Sequence, residues 1–210
     1  MNTPITARSL KHHFHYNWWK YLIVLLAGTF LVDLLFTVTA PRIPDEKKVE
    51  LYVFGYALDA DLTAYIDRVH EEEMPEMEAM SAVISYPDET YGPMLLTTYL
   101  AAREGDVYLL PREDFLSVSS QAAFLPLEGD AELMALFSDA GLDLRRGWRT
   151  LPDSDETHLY GIPMDLLPGL SSLCYVDNGF LAVLSYGGNT ENALKFLRIL
   201  CRDMIGGPAS

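Results

Sequence analysis

An apolar run near the amino terminus, Tyr21–Ala40, constrains this chain more than any other feature of its sequence. A helix rises 1.5 Å per residue, so a run of roughly 20 residues crosses the hydrocarbon core of a bilayer. Its strongly apolar side chains favour insertion by roughly 4 to 7 kcal/mol, whereas Asp33 opposes insertion by at most about 3 kcal/mol. The run therefore predicts a membrane-spanning helix.

The residues that flank this run bear on its orientation. Tyr16, Trp18, Trp19 and Lys20 precede it and are typical of the interface between lipid and water. Lys and Arg are balanced on the two sides, so the positive-inside rule alone does not decide the topology. Because the preceding tail is short and the following domain is long, we expect the amino terminus to be cytoplasmic.

A cleaved signal peptide is the alternative to a membrane anchor. Val38-Thr39-Ala40 resembles a cleavage site, but Pro41 would then occupy the first mature position, which disfavours cleavage. We expect an uncleaved single-pass anchor in the cell membrane, with residues 1-20 as a cytoplasmic tail and residues 21-40 in contact with the lipid bilayer. Residues 41-48 are then a linker, and residues 49-210 an extracytoplasmic domain.

The charge of the chain limits its partners. It carries 30 acidic and 15 basic residues, a net charge of −15 at pH 7. Such a surface repels nucleic acid, so we expect no nucleic-acid partner. The chain has no Cys-x-x-Cys motif, and the histidines near the amino terminus fit a cationic tail better than a metal site. We therefore expect no metal and no cofactor. Cys174 and Cys201 are either two buried thiols or a disulfide.

Strands and helices alternate along residues 49-210. The predicted strands are Val49–Gly55, Met80–Ser85, Val107–Leu110 and Phe180–Tyr186, with extended segments at Trp148–Leu151 and Thr157–Met164. The predicted helices begin at Asp59 or Asp61, after Pro87–Glu89, at Pro111, at Ala131 and after Asn189. This order predicts an α/β fold, a three-layer α/β/α domain with a mostly parallel sheet.

Three motifs resemble bacterial extracellular solute-binding proteins, a family that is periplasmic-binding-protein-like, type 2. Gly105–Leu110, a short helix and then Ala122–Leu127 are similar to the family's "PDV" strand, helix and "G-x-L-x-P-L" exit. Leu159–Met164 is similar to its "YGIP" strand, and Asn189–Leu200 to its "WKFLKFL" helix. The motifs also occur in the same order as in the family.

The resemblance implies both a fold and a function. Family members have two lobes that close on a ligand, and most of the second lobe follows the "YGIP" strand. Here only Asp165–Gly179 occupies that place, which implies a single lobe. We expect a non-enzymatic, solute-binding-like protein that is accessory to an ABC transporter or sensor, with a sugar or peptide as solute or a membrane protein as partner. The alternative is a protein-interaction or structural module of the cell envelope.

Ligands of parallel α/β sheets bind at the loops that follow the carboxyl ends of the strands. In this chain those loops hold the candidate ligand-binding residues Tyr56, Tyr86, Asp88, Glu89, Arg112, Glu113 and Asp165. Aromatic rings and carboxylates suit sugars or cationic solutes, and arginine suits a carboxylate or phosphate. The same residues also suit helix capping and loop solvation. We predict no catalytic residue, because His70 and His158 lie in no nucleophile motif.

Overall fold

The computed structural model describes residues 7–39, 43–86, 91–151 and 155–206, with side chains from residue 17 onward. The chain divides into two compact units, Met1–Arg42 and Ile43–Ser210. In the first unit, a single helix α1 spans Ala7–Thr39. It begins well before Tyr21, so part of the predicted tail is helical.

The apolar part of α1 is long enough to cross a membrane. The stretch Asn17–Thr39 has 23 residues and a mean hydropathy of 2.3, and none of its residues is buried. The hydroxyls of Thr29 and Thr39 donate to backbone carbonyls four residues earlier, at 3.0 and 2.6 Å, so these polar groups are satisfied within the helix. A membrane anchor and a signal sequence both meet this description.

The second unit is a mixed α/β domain. Its helices are α2 (Asp59–Glu72), α3 (Gly92–Ala102), α4 (Arg112–Ser119), α5 (Ala131–Asp139) and α6 (Thr190–Ile205). Its strands are β1 (Lys48–Phe54), β2 (Tyr56–Ala57), β3 (Ala79–Ser85), β4 (Val107–Leu110), β5 (Trp148–Thr150), β6 (Thr157–Leu159), β7 (Ile162–Pro163), β8 (Cys174–Tyr175) and β9 (Phe180–Val183).

The central sheet has the strand order β3-β1-β4-β9-β7. Strand β1 pairs in parallel with β3 and β4, whereas β9 is antiparallel to β4 and to β7. Within the described residues, β9 is thus the one strand of this sheet that runs against the other four. The prediction of a mostly parallel sheet is confirmed.

Side chains alternate between the two faces of the sheet, so each face has its own apolar core. One core joins Val53, Val107 and Leu181 to helices α2, α5 and α6. The other joins Phe54, Tyr108 and Phe180 to helices α3 and α4. The domain therefore has the predicted three layers. Cys174 and Cys201 are buried free thiols, and burial raises the pKa of both.

Several element ends differ from the prediction for local reasons. The extended segment Thr157–Met164 is two strands that join different sheets, because β6 pairs with β5 whereas β7 pairs with β9. Helix α4 begins at Arg112, one residue after the predicted start, and ends at Ser119. It cannot continue through Ala122, whose φ of 55° a helix does not allow. Helix α2 begins at Asp59, one of the two predicted starts, and its cap residue is Leu58, which has no side-chain acceptor.

Candidate functional site

The loops after β1, β3, β4 and β7 and the residues before β9 lie at one end of the central sheet, the carboxyl edge. A small antiparallel sheet of β2 and β8 begins directly after β1. Gly55 permits this arrangement, because a Cβ there would lie 2.5 Å from the Tyr175 carbonyl oxygen. The Gly55 amide also donates to the Ser85 carbonyl at 3.0 Å, which ties the ends of β1 and β3 together.

Exposed aromatic rings gather at this edge in a tyrosine patch formed by Tyr56, Tyr86 and Tyr175. The three side chains are 55%, 63% and 64% exposed. The ring centroids of Tyr56 and Tyr86 are 6.0 Å apart, and Tyr175 lies opposite Tyr56 in the β2–β8 ladder. Large aromatic side chains are usually buried, so this patch offers unusual apolar area for contact with a ligand or a partner.

Next to the ends of β4 and β9 lies a cavity of about 330 Å³, the arginine pocket. It is lined by Arg112, Arg146, Arg149, Asn178 and Phe180. Arg112 is the first residue of α4, and Arg149 lies on β5. Arg146 belongs to the 3-10 turn Arg145–Gly147. Three guanidinium groups from three separate elements therefore line one opening.

Aromatic rings and one carboxylate hold two of these arginines in place. The Arg146 guanidinium pairs with Asp165 and lies 5.8 Å from the centroid of the Phe180 ring. The Arg149 guanidinium lies 5.6 Å from the centroid of Phe115 and donates to the Trp148 carbonyl at 2.7 Å. Phe115 and Phe180 stack at 4.5 Å, so both cations pack against one aromatic pair.

The electrostatics of Arg149 are unfavourable in the unliganded chain. Its side chain is half-buried, and its Nε is a buried donor without a hydrogen-bond partner in the described part of the chain. Burial lowers the pKa of the Arg149 guanidinium, and the nearby charge of Arg112 lowers it further. An unpaired buried donor costs free energy, so the described surroundings of Nε do not compensate the burial of this guanidinium group.

Glycine allows the backbone to bring the arginines to the pocket. A Cβ on Gly147 would lie 1.7 Å from the carbonyl oxygen of Gly161, so no larger residue fits. Gly147 separates Arg146 from the strand that carries Arg149. This close approach of two backbones therefore sets the position of both arginines.

The structure brings some of the predicted site residues together. Tyr56 and Tyr86 form the tyrosine patch with Tyr175, Arg112 lines the arginine pocket, and Asp165 pairs with Arg146. Glu113 is exposed in the first turn of α4, where its negative charge stabilises the positive end of the helix dipole. Asp88 and Glu89 lie outside the described residues.

Sequence reasoning missed Arg146, Arg149, Asn178 and Tyr175. A signal for the two arginines was present, because the run Arg145–Arg149 concentrates positive charge in an otherwise acidic chain. Tyr175 and Asn178 carry no such signal, since only the pairing of β8 with β2 and of β9 with β4 places them at this edge. Among the described residues, no group of three or more His, Cys, Asp or Glu side chains is arranged to bind a metal ion.

Comparison with known proteins gives matches to solved structures alone. No protein family model and no curated protein matches the sequence. The chain is similar to an extracellular solute-binding protein family 1 from Alicyclobacillus acidocaldarius, with 19% identity over 55% of this chain and 27% of that one, at a TM-score of 0.42.

The chain is also similar to the N-glycan transport solute binding protein NgtS from Streptococcus pneumoniae. The complex with Man1GlcNAc gives 15% identity and a TM-score of 0.34, and the complex with Man5GlcNAc gives 16% and 0.33. Each covers 55% of this chain and 24% of the other, so the chain spans about a quarter of their length. These structures are of solute-binding proteins, the class that the sequence motifs resemble.

Proposed function

We propose that this chain is a membrane-anchored, extracytoplasmic, non-enzymatic protein that binds a small solute at the carboxyl edge of its sheet. The observation that carries the proposal is the arginine pocket beside the tyrosine patch. A cavity of about 330 Å³ is within the range of small-molecule sites, which begins near roughly 300 Å³. Aromatic faces and a few converging polar groups are the usual lining of such sites.

The anchor supports the location that we propose. Residues 1-20 would be the cytoplasmic tail, residues 21-40 the transmembrane segment, residues 41-48 the linker and residues 49-210 the binding domain. The length and hydropathy of Asn17–Thr39 suit a membrane span. A binding domain held at the outer surface of a membrane would present its solute to a transporter of the ABC type or to a sensor, and we propose such an accessory role.

A thermal-shift screen of the full chain in a non-ionic detergent tests solute binding. The screen uses sugars, oligosaccharides and peptides, and we expect at least one compound to raise the unfolding temperature, since a ligand of the native state stabilises it. Tyr56→Ala should weaken binding roughly 2- to 10-fold.

Tyr186→Ala is the matched control, because Tyr186 is 39% exposed and follows the opposite end of β9. We expect the control to bind as the unchanged chain does. A screen in which no compound shifts the unfolding temperature would refute the proposal.

The second candidate function is a protein-interaction module of the cell envelope. The tyrosine patch favours it, together with Leu58, which is 58% exposed. The connection from β7 to β9 is also too short to hold a second lobe that closes over a solute. Recovery of one stoichiometric membrane partner by the unchanged chain, and its loss with Tyr56→Ala but not Tyr186→Ala, would favour this candidate.

A further inference from the structure

The arginine pocket holds more positive charge than the surrounding residues neutralise. Asp165 pairs with Arg146 and compensates one of the three guanidinium groups. Within the described ranges, neither Arg112 nor Arg149 makes an ion pair, and both line the same cavity. Among the residues that the structure describes, two positive charges therefore have no ion-pair partner at the carboxyl edge.

This arrangement does not serve the stability of the unliganded chain. The sequence has twice as many acidic as basic residues, so carboxylates are available to pair with any arginine. Most of the arginines elsewhere in the domain do pair, as Arg68, Arg198 and Arg202 show. In the pocket, burial and the nearby positive charge of Arg112 oppose the charged form of Arg149. A bound group of opposite charge would remove both costs.

The geometry of the donors specifies the chemistry of that group. A guanidinium group presents parallel N–H donors that match the two oxygens of a carboxylate or of a phosphate. The buried Nε of Arg149 has no acceptor within the described residues, so the burial of this guanidinium group is not compensated there. Asp165 stays with Arg146, so the two unpaired guanidinium groups are the ones available to an anion.

The position of the pocket connects it to the tyrosine patch. Tyr56 follows β1 and Arg112 follows β4, and these two strands are hydrogen-bonded neighbours. Neighbouring strands are about 4.8 Å apart. The Arg112 amide also donates to the carbonyl of Asp177, two residues after Tyr175, so the pocket and the patch adjoin along this edge. We infer that the solute is an anion whose carboxylate or phosphate binds Arg112 and Arg149 while its remaining part contacts the tyrosine patch.

This inference rests on the proposed function, and calorimetric titration of the full chain in a non-ionic detergent tests it. The probes are glucuronate, glucose 6-phosphate, inorganic phosphate and neutral glucose, which separate carboxylate from phosphate and both from an uncharged sugar. We expect glucuronate or one of the phosphates to bind more tightly than glucose. Arg112→Gln and Arg149→Gln should each weaken that binding roughly 10- to 100-fold.

Arg145→Gln is the matched control. Arg145 adjoins Arg146 and has the same charge, but its side chain is 89% exposed and pairs with Asp143. This variant removes one positive charge outside the pocket, so we expect anion binding to change less than twofold. An equal loss of affinity in all three variants would mean that net charge alone attracts the anion, and would overturn the inference.

The unfolding temperature of Arg112→Gln, measured without ligand, separates a binding role of Arg112 from a structural one. Because Arg112 and Arg149 repel each other, Arg112→Gln should raise the unfolding temperature of the unliganded chain while it weakens anion binding. A structural arginine would do the opposite and lower the unfolding temperature. Arg112 is exposed, so its replacement leaves the core intact.

The outcomes distinguish this inference from the proposed function. If neutral sugars or peptides bind but no anionic probe binds more tightly than glucose, the solute site stands and the inference is wrong. If an anion binds equally well to the unchanged chain and to both pocket variants, the inference is also wrong and the proposed function stands. If no compound of either class binds, both proposals are wrong.

Discussion

Asp106 is a buried carboxylate at the end of the sheet opposite the candidate site. It is 7% exposed, and its Oδ2 accepts a hydrogen bond from the Glu50 amide at 2.9 Å. Burial raises the pKa of Asp106 to about 6, and the negative charge of Glu50 adds to the rise. The native chain therefore holds this proton more tightly than the unfolded chain does.

The sign of the resulting pH effect follows from linkage. Because the native pKa is the higher one, the stability associated with Asp106 is greatest at low pH and is lost between roughly pH 4 and pH 6. The loss is on the order of 3 kcal/mol. Asp106→Asn keeps an oxygen acceptor for the Glu50 amide and removes the buried charge. We expect the variant to be more stable than the unchanged chain at pH 7 and equally stable below pH 4, as measured by urea unfolding.

The pair of His158 and Glu128 provides an internal control for that experiment. The hydrogen bond that His158 donates to the Glu128 carboxylate raises the pKa of His158. The stability that this pair contributes is therefore present below about pH 6.5 and is lost as the pH rises further. Asp106→Asn should leave this higher pH window unchanged. If the variant alters both windows equally, or remains as pH-sensitive as the unchanged chain below pH 6, the account of Asp106 is wrong.

The turn before β5 depends on a close approach of two backbones. The Cβ of Gly147→Ala would lie 1.7 Å from the Gly161 carbonyl oxygen, so the two segments must separate. We expect a loss of about 1–3 kcal/mol in the free energy of unfolding, with displacement of Arg146 and Arg149 and weaker solute binding. Chemical denaturation and titration measure the two effects.

Gly129→Ala is the control for Gly147→Ala. A Cβ at Gly129 has no atom within 4 Å, and we expect a change of less than about 1 kcal/mol. A Gly147→Ala chain that is as stable as the Gly129→Ala chain would show that the backbone contact does not constrain this turn.

The elements of the domain follow from local patterns to a large extent. Val107–Leu110 is a continuous apolar run and is the strand that was predicted, with both ends correct. Helix α6 begins directly after Asn189, as predicted, and Gly206 follows the end of its strong apolar stripe. The direction of β9 was not predictable in this way, since periodicity does not report which way a strand runs in its sheet.

The residues of the candidate site that directly follow strands were predicted, and the others were not. The rule that ligands meet the carboxyl ends of strands led to Tyr56, Tyr86 and Arg112, which directly follow strands. Arg149 lies within β5, a strand outside the central sheet, and reaches the pocket through the contact of Gly147 with Gly161. Such a contact between distant segments depends on the tertiary fold, so no local pattern indicates it.

The proposed topology of the whole chain follows from the anchor. On the insertion scale, the free energy that the apolar side chains contribute to insertion exceeds the cost of Asp33 by roughly a few kcal/mol. Protease treatment of intact, wall-stripped cells should therefore remove the acidic domain and leave a short fragment that begins at the native amino terminus. Complete protection of the domain would indicate the inverted topology. A mature protein that begins at Pro41 would instead identify a cleaved signal peptide.

The central claim is that a solute binds at the carboxyl edge of the sheet. Hydrogen–deuterium exchange of the full chain tests it directly, with and without the tightest-binding compound of the thermal-shift screen. We expect slower exchange on binding in the segments that carry the tyrosine patch and the arginine pocket, near residues 55–58, 112–116 and 174–180. Exchange at the opposite edge, near Glu50 and Asp106, should not change. Slower exchange confined to that opposite edge, or no change at the carboxyl edge under saturating compound, would contradict the claim.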